Sequence, residues 1–209
     1  MLSQYFGVRV HLIRAKQRSG ILPILISVLA AIVFMAVSFS LYWPTPEIAF
    51  RTDDSPVAWL SSAQMWAIAI LSLRLWQERA LPPLLSAWLA IALMLMACDE
   101  QFMLHEQWKY QCLEWISLCQ YYWVTEIPML LVIALGVATG FFLLPYFLTP
   151  LPKSFLLASL AVGLFAMVLR FTGMPSVLLP YKALFLVLAQ GLFLGTLLGL
   201  PIGKNEKSI

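Results

Sequence analysis

Apolar residues fill six long runs along the chain, at 21–43, 57–76, 83–105, 127–148, 154–171 and 181–200, with polar or proline-bearing breaks between them. Each run is close to the roughly 20 residues that an α-helix needs to cross about 30 Å of hydrocarbon. The pattern predicts an all-α polytopic membrane protein, with six transmembrane helices forming a single domain over 21–200. Residues 1–20 make a basic tail with Arg9, Arg14, Lys16 and Arg18, and residues 201–209 a short tail with Lys204 and Lys207. The first run exceeds the roughly 7 to 15 residues of a signal-peptide core and has no clear A-x-A site, so it reads as an uncleaved span.

Prolines punctuate the runs. Pro44 and Pro46 close the first; Pro83 and Pro128 suit helix starts, where the missing N–H has no intrahelical partner to lose; Pro150 and Pro152 mark the turn before the fifth. The 108–122 stretch, rich in Trp, Tyr and Cys, is the longest connection. It reads as an interfacial helix or a continuation of the third span, its rings an aromatic belt. No internal repeat is visible.

Composition agrees with the pattern. The chain is 62% hydrophobic and 11% charged, with a mean hydropathy of +0.88, where soluble domains are roughly half apolar and about a quarter charged. A soluble enzyme is excluded, and six spans leave no room for a separate soluble domain. Membrane lipids are the expected surroundings, with no nucleic-acid partner. A lipid or other small-molecule substrate and an oligomer or larger membrane complex stay open.

Charge sets the expected orientation. Nine of the thirteen Lys and Arg fall on the side of the termini, including Arg74, Arg79 and Lys153, and eight of the ten Asp and Glu fall on the other. The excess of basic residues predicts that both termini are cytoplasmic and that the acids face the periplasmic or extracellular side of an inner (plasma) membrane.

Those acids gather where the third run ends, in Cys98-Asp99-Glu100-Gln101-Phe102-Met103-Leu104-His105-Glu106. Asp99 lies about 24 Å along the span from Pro83, in the outer quarter of the core. An unpaired charge there costs at least ~2.5 kcal/mol, so partners are required. If 94–114 is one regular helix at about 100° per residue, Asp99, Met103, Glu106, Tyr110 and Glu114 share one face, and Met94, Cys98, Gln101 and His105 another. Such a helix cannot converge Asp99, Glu100, His105 and Glu106 on one ion, so the partners must come from other spans. At similar depth lie Ser61, Ser62, Gln64, Thr125, Glu126, Arg170, Tyr181 and Lys182. Arg170 is the expected counter-charge, because a guanidinium engages a carboxylate bidentately.

Three chemistries suit these residues. The first is a metal-dependent, hydrolase-type membrane enzyme: Asp99, His105, Glu106 and Glu126 hold a divalent cation, with Glu100, Glu106 and Arg170 as catalytic groups acting near outer headgroups. One usable histidine suits magnesium, calcium, manganese or iron better than zinc, since His11 lies in the basic tail. The second is a proton- or cation-coupled transporter, in which the same acids exchange protons; against it, the inner halves of the spans carry few polar residues besides Thr139, Gln190 and Thr196. The third takes Met94, Cys98 and His105 as soft copper ligands. Beside them stands a role without chemistry, in which the acids cap a span in a membrane assembly, paired with Arg170, Lys109 and Lys182. Cys112 and Cys119 lie roughly 10 Å apart on one helix and can form a disulfide only if the segment folds back.

The pattern Asp99-Glu100 followed by His105-Glu106 resembles a D-E-x-x-x-x-H-E helix end of uncharacterised multi-pass membrane proteins of prokaryotes. It covers eight residues and implies no activity. Alkaline-ceramidase-like hydrolases need three histidines with an aspartate and a serine, and this chain lacks the histidines.

Overall fold

The computed structural model describes residues 21–45, 48–51, 55–171 and 179–200. Both expected tails and the loop acids Asp53 and Asp54 lie outside them. Among the described residues the chain is helical and has no strand. The helices are α1 (Ile21–Leu41), α2 (Ile48–Arg51), α3 (Pro56–Gln77), α4 (Pro83–Phe102), α5 (Leu104–Trp115), α6 (Tyr122–Thr125), α7 (Ile127–Leu143), α8 (Pro150–Phe171) and α9 (Leu179–Leu198). Short 3₁₀ turns occupy Ser117–Gln120 and Leu144–Tyr146.

Five of these helices are long and apolar enough to cross a membrane: α1, α3, α4, α8, and α7 with its extension to Tyr146. The helix in the sixth expected span, α9, carries a shorter apolar stretch, Lys182–Leu198. Two boundaries differ from the sequence reading. The third span ends at Phe102 rather than near 105, because the helix breaks at Met103. The fifth starts at Pro150 rather than 154, because Pro150 and Pro152 sit inside its first turn, where a missing N–H costs nothing.

The centre of the bundle is α3 packed on α9. Ser55 starts α3 as its N-cap, its hydroxyl accepting from Ala58 N at 3.2 Å, with Pro56 in the first turn. Half of α3 is buried, including Ser61, Ser62, Gln64, Met65, Ile68 and Ser72. Its C-terminal end carries Arg74, mostly exposed and bonded to Glu78 at 2.9 Å, and Arg79 in the left-handed region (φ 55°) turns the chain toward α4. Helices α4 and α8 pack on the outer flanks of α3 and α9 respectively, and α1 lies along α9. At that last contact a Cβ on Gly195 would stand 2.5 Å from Ile24 Cα and 3.1 Å from Pro23 O, so the two backbones touch. Close approach through small residues is how helices associate in lipid, where burying apolar surface gives no driving force.

Hydrogen bonds across helices complete the bundle. Ser62 Oγ donates to Ala97 O (3.1 Å), joining α3 to the end of α4, and Ser159 Oγ donates to Ala189 O (2.8 Å), joining α8 to α9. Trp88 Nε1 donates to Thr139 Oγ1 (2.9 Å), tying α4 to α7. Only the C-terminal end of α7 is buried, through Thr139, Gly140 and Leu143. Its N-terminal half displays Leu130, Leu131 and Leu135, an apolar surface suited to lipid.

Candidate functional site

The organising feature at the C-terminal end of α4 is a single residue, Met103, held at φ 52° and ψ 40° between α4 and α5. A left-handed turn at a residue with a Cβ costs about 1 to 2 kcal/mol. Here it breaks the helix that the sequence reading ran unbroken from 94 to 114. That corrects the two-face arrangement: Asp99 and His105 belong to different faces of a regular helix, and the break folds one onto the other. The Asp99 carboxylate accepts twice from His105, from the backbone N at 2.8 Å through Oδ1 and from ring Nδ1 at 3.0 Å through Oδ2. The first bond places a negative charge on an N–H of the first turn of α5, where the helix dipole favours it.

From His105 the contacts continue in a line. Ring Nε2 lies 3.4 Å from Glu106 Oε1; Glu106 Oε1 lies 4.0 Å from Lys109 Nζ; and Lys109 Nζ lies 2.7 Å from Glu126 Oε1. The order is acid, base, acid, base, acid, drawn from α4, α5 and the residue preceding α7. Four of its members are partly exposed, Asp99 and Glu106 at 31%, Lys109 at 24% and His105 at 18%, and the last, Glu126, is buried at 2%. Ser62, bonded to Ala97, anchors the α4 end of the line to the bundle core.

The far end is held by the fold-back between α5 and α7. Cys112 and Cys119 are joined in a disulfide with Cα atoms 5.8 Å apart, and both are buried with Val124 beneath Trp108. The chain reverses at Ile116, which leaves α5 in extended conformation (φ −138°). This reversal is the condition the sequence reading set for the pairing. The same reversal brings Glu126 back to Lys109, one turn before Cys112 on α5.

The expected site residues therefore divide. Asp99, His105, Glu106 and Glu126 belong to one connected network. Glu100 is half-buried and partnered. Arg170 lies on α8 with its side chain outside the described part, and among the described residues Lys109 meets Glu106 and Glu126. Tyr110 and Glu114, placed on the acid face by helical spacing, are exposed. Both ring nitrogens of His105 face carboxylates, and among the described residues no group of three or more His, Cys, Asp and Glu is placed to hold an ion. In the soft set, His105 is turned to Asp99 and Glu106.

The sequence analysis names Ser61 and Gln64 at the depth of Asp99 and Gln190 apart from them, and does not bring them together as a second group. In the middle of the bundle Gln190 Nε2 donates to Ser61 Oγ at 2.9 Å, and Gln64 Nε2 lies 3.5 Å from where a Cβ on Gly191 would stand, near the Ser27 carbonyl. The signal was the Gly191-x-x-x-Gly195-x-x-x-Gly199 spacing beside Gln190, which marks a close-packed helix face.

Compared with protein-family models, with curated proteins and with solved structures, the chain matches none.

Proposed function

We propose that this integral membrane protein handles protons: the line from Asp99 to Glu126 exchanges them between the outer solution and a buried carboxylate, as part of proton-coupled transport. The observation that carries the reading is the order of the groups. A metal centre needs donors converging on a point, whereas here acids and bases alternate along a line that runs from partly exposed Asp99 to buried Glu126. His105 passes a proton between its two nitrogens' partners, taking one at Nε2 from Glu106 and releasing one at Nδ1 to Asp99, or the reverse. The Lys109 ammonium gives a proton to Glu126 and is recharged from Glu106, the 4.0 Å gap between them being closed by a turn of the lysine side chain or a bridging water. Intramembrane ionisable groups are the usual material of such relays.

In this reading α9 is a sixth span, both termini are cytoplasmic and the line faces the periplasm or extracellular space. The basic residues on the terminal side support that orientation, and so does the disulfide, which persists in an oxidising compartment. The test is proton flux into liposomes holding the purified protein, under an imposed potential and with an internal pH dye. Wild type conducts protons above protein-free vesicles, and His105→Gln and Glu126→Gln lose most of the flux. Flux equal to that of empty vesicles in the wild type removes the reading.

A hydrolase acting on a lipid or small amphiphile is the second reading. The bond from Asp99 to Nδ1 favours it, since that arrangement fixes the tautomer of a histidine base. Glu106 then has to leave Nε2 when substrate enters. Release of headgroup or acyl product from outer-leaflet lipids, abolished in His105→Gln, would support this reading over the first.

A further inference from the structure

We infer that the junction of α1, α3 and α9 holds bound water within the hydrocarbon core of the bilayer. Along their helices, Gln64 lies about 12 Å from the start of α3 and Gln190 about 16 Å from the start of α9, the two helices entering from the same side. Ser27 lies about 9 Å from the start of α1, which enters from the opposite side. All three therefore fall away from the headgroups of a core about 30 Å thick.

Contacts with Gly191 and Ser61 draw these residues together. The Gln64 amide and the Ser27 carbonyl both lie against Gly191, and Ser61, one turn from Gln64 on α3, accepts from Gln190. Three polar atoms at this junction are buried and meet no partner among the described residues: Gln64 Oε1, Gln190 Oε1 and Ser27 Oγ. Gln64 as a whole is 7% exposed. Rotating either amide by a half-turn only exchanges an unmet acceptor for an unmet donor.

The chemistry of these atoms selects the guest. Two of the three are amide oxygens, which need N–H or O–H donors, and the third is a hydroxyl that can give or accept. Ser27, Ser61, Gln64 and Gln190 carry no charge, so nothing in the group offsets that of an ion. Gly191 and Gly195 bring α9 against α1 without side chains, which restricts the guest to a small one. Water is neutral, small, and able to donate twice and accept twice; buried waters commonly make about three bonds to groups of this kind.

The test is water-to-protein magnetisation transfer in solid-state NMR of the full chain in lipid bilayers, with glutamine side-chain amides labelled with ¹⁵N. The Gln64 and Gln190 signals are assigned by their loss in Gln64→Leu and in Gln190→Leu, either of which suffices if the other fails to fold. Exposed Gln107 is the wet reference. The expected result is that the Gln64 or Gln190 amide gains signal from water as early as Gln107. Build-up several-fold slower in both, on the timescale of lipid-facing groups, overturns the inference. Proton flux can fail while these signals remain wet, so the two claims fall separately.

Discussion

Met103 takes a strained conformation, and the contact between His105 and Asp99 depends on it. The strain has a testable size: Met103→Gly removes it and raises stability by about 1 kcal/mol with the charge line intact. Met103→Val, with a branched Cβ that tolerates this region worse, lowers stability, and thermal unfolding in detergent distinguishes the two. Asp99→Asn keeps the shape and loses the charge on two hydrogen bonds; it costs roughly 1.5 to 3 kcal/mol. If Met103→Gly proves destabilising, the left-handed turn is not where the strain lies. No pattern in the sequence announces this turn, because a methionine inside an apolar run reads as helix interior. That is why the identities of the outer-site residues were legible and their arrangement was not. Helical spacing separates positions 99 and 105, and a single positive φ reverses the result.

At the scale of elements, the decisive contacts are backbone approaches and the disulfide. Gly195→Ala pushes a methyl group into the backbone of α1 and destabilises by about 1 to 3 kcal/mol, as overpacking does. Gly163→Ala is the control. Its Cβ would meet Ala189 at an ordinary 3.6 Å, so the gain in helix propensity of about 0.5 to 1 kcal/mol prevails. Opposite signs in the two unfolding midpoints support the packing account, and equal signs contradict it. Replacing Cys112 and Cys119 together by serine releases the fold-back that returns Glu126 to Lys109 and costs roughly 2 to 4 kcal/mol. Five of the six expected spans were legible from apolar length, and the starts of α4 and α7 from Pro83 and Pro128. The α1–α9 contact was legible in principle from the Gly191 and Gly195 spacing. It was hidden because glycine in an apolar run leaves hydropathy unchanged, and the partner face on α1 is marked only by Ser27 and Ala31.

For the whole molecule, orientation ties the parts together. In the proposed orientation, which the charge distribution and the disulfide support, the α5–α7 face lies outside. A membrane-impermeant maleimide applied to intact cells, in a Cys98→Ser background, should react with Tyr110→Cys and not with Arg79→Cys. The reverse pattern inverts the topology. The outer line then opens to the external solution at Asp99 and Glu106 and ends in the protein at Glu126. The bundle beneath it contains neutral polar residues that hydropathy alone averages away, as with Ser61, Gln64 and Gln190 among leucines and alanines.

In the proposed relay, protons reach Glu126 through His105. Time-resolved infrared spectroscopy after a jump in external pH reads this directly, from the carboxyl band identified by its loss in Glu126→Gln. The band is expected to follow the jump in the wild type and to lag far behind it in His105→Gln. A band that responds at the same rate in both proteins, or in neither, would contradict the relay.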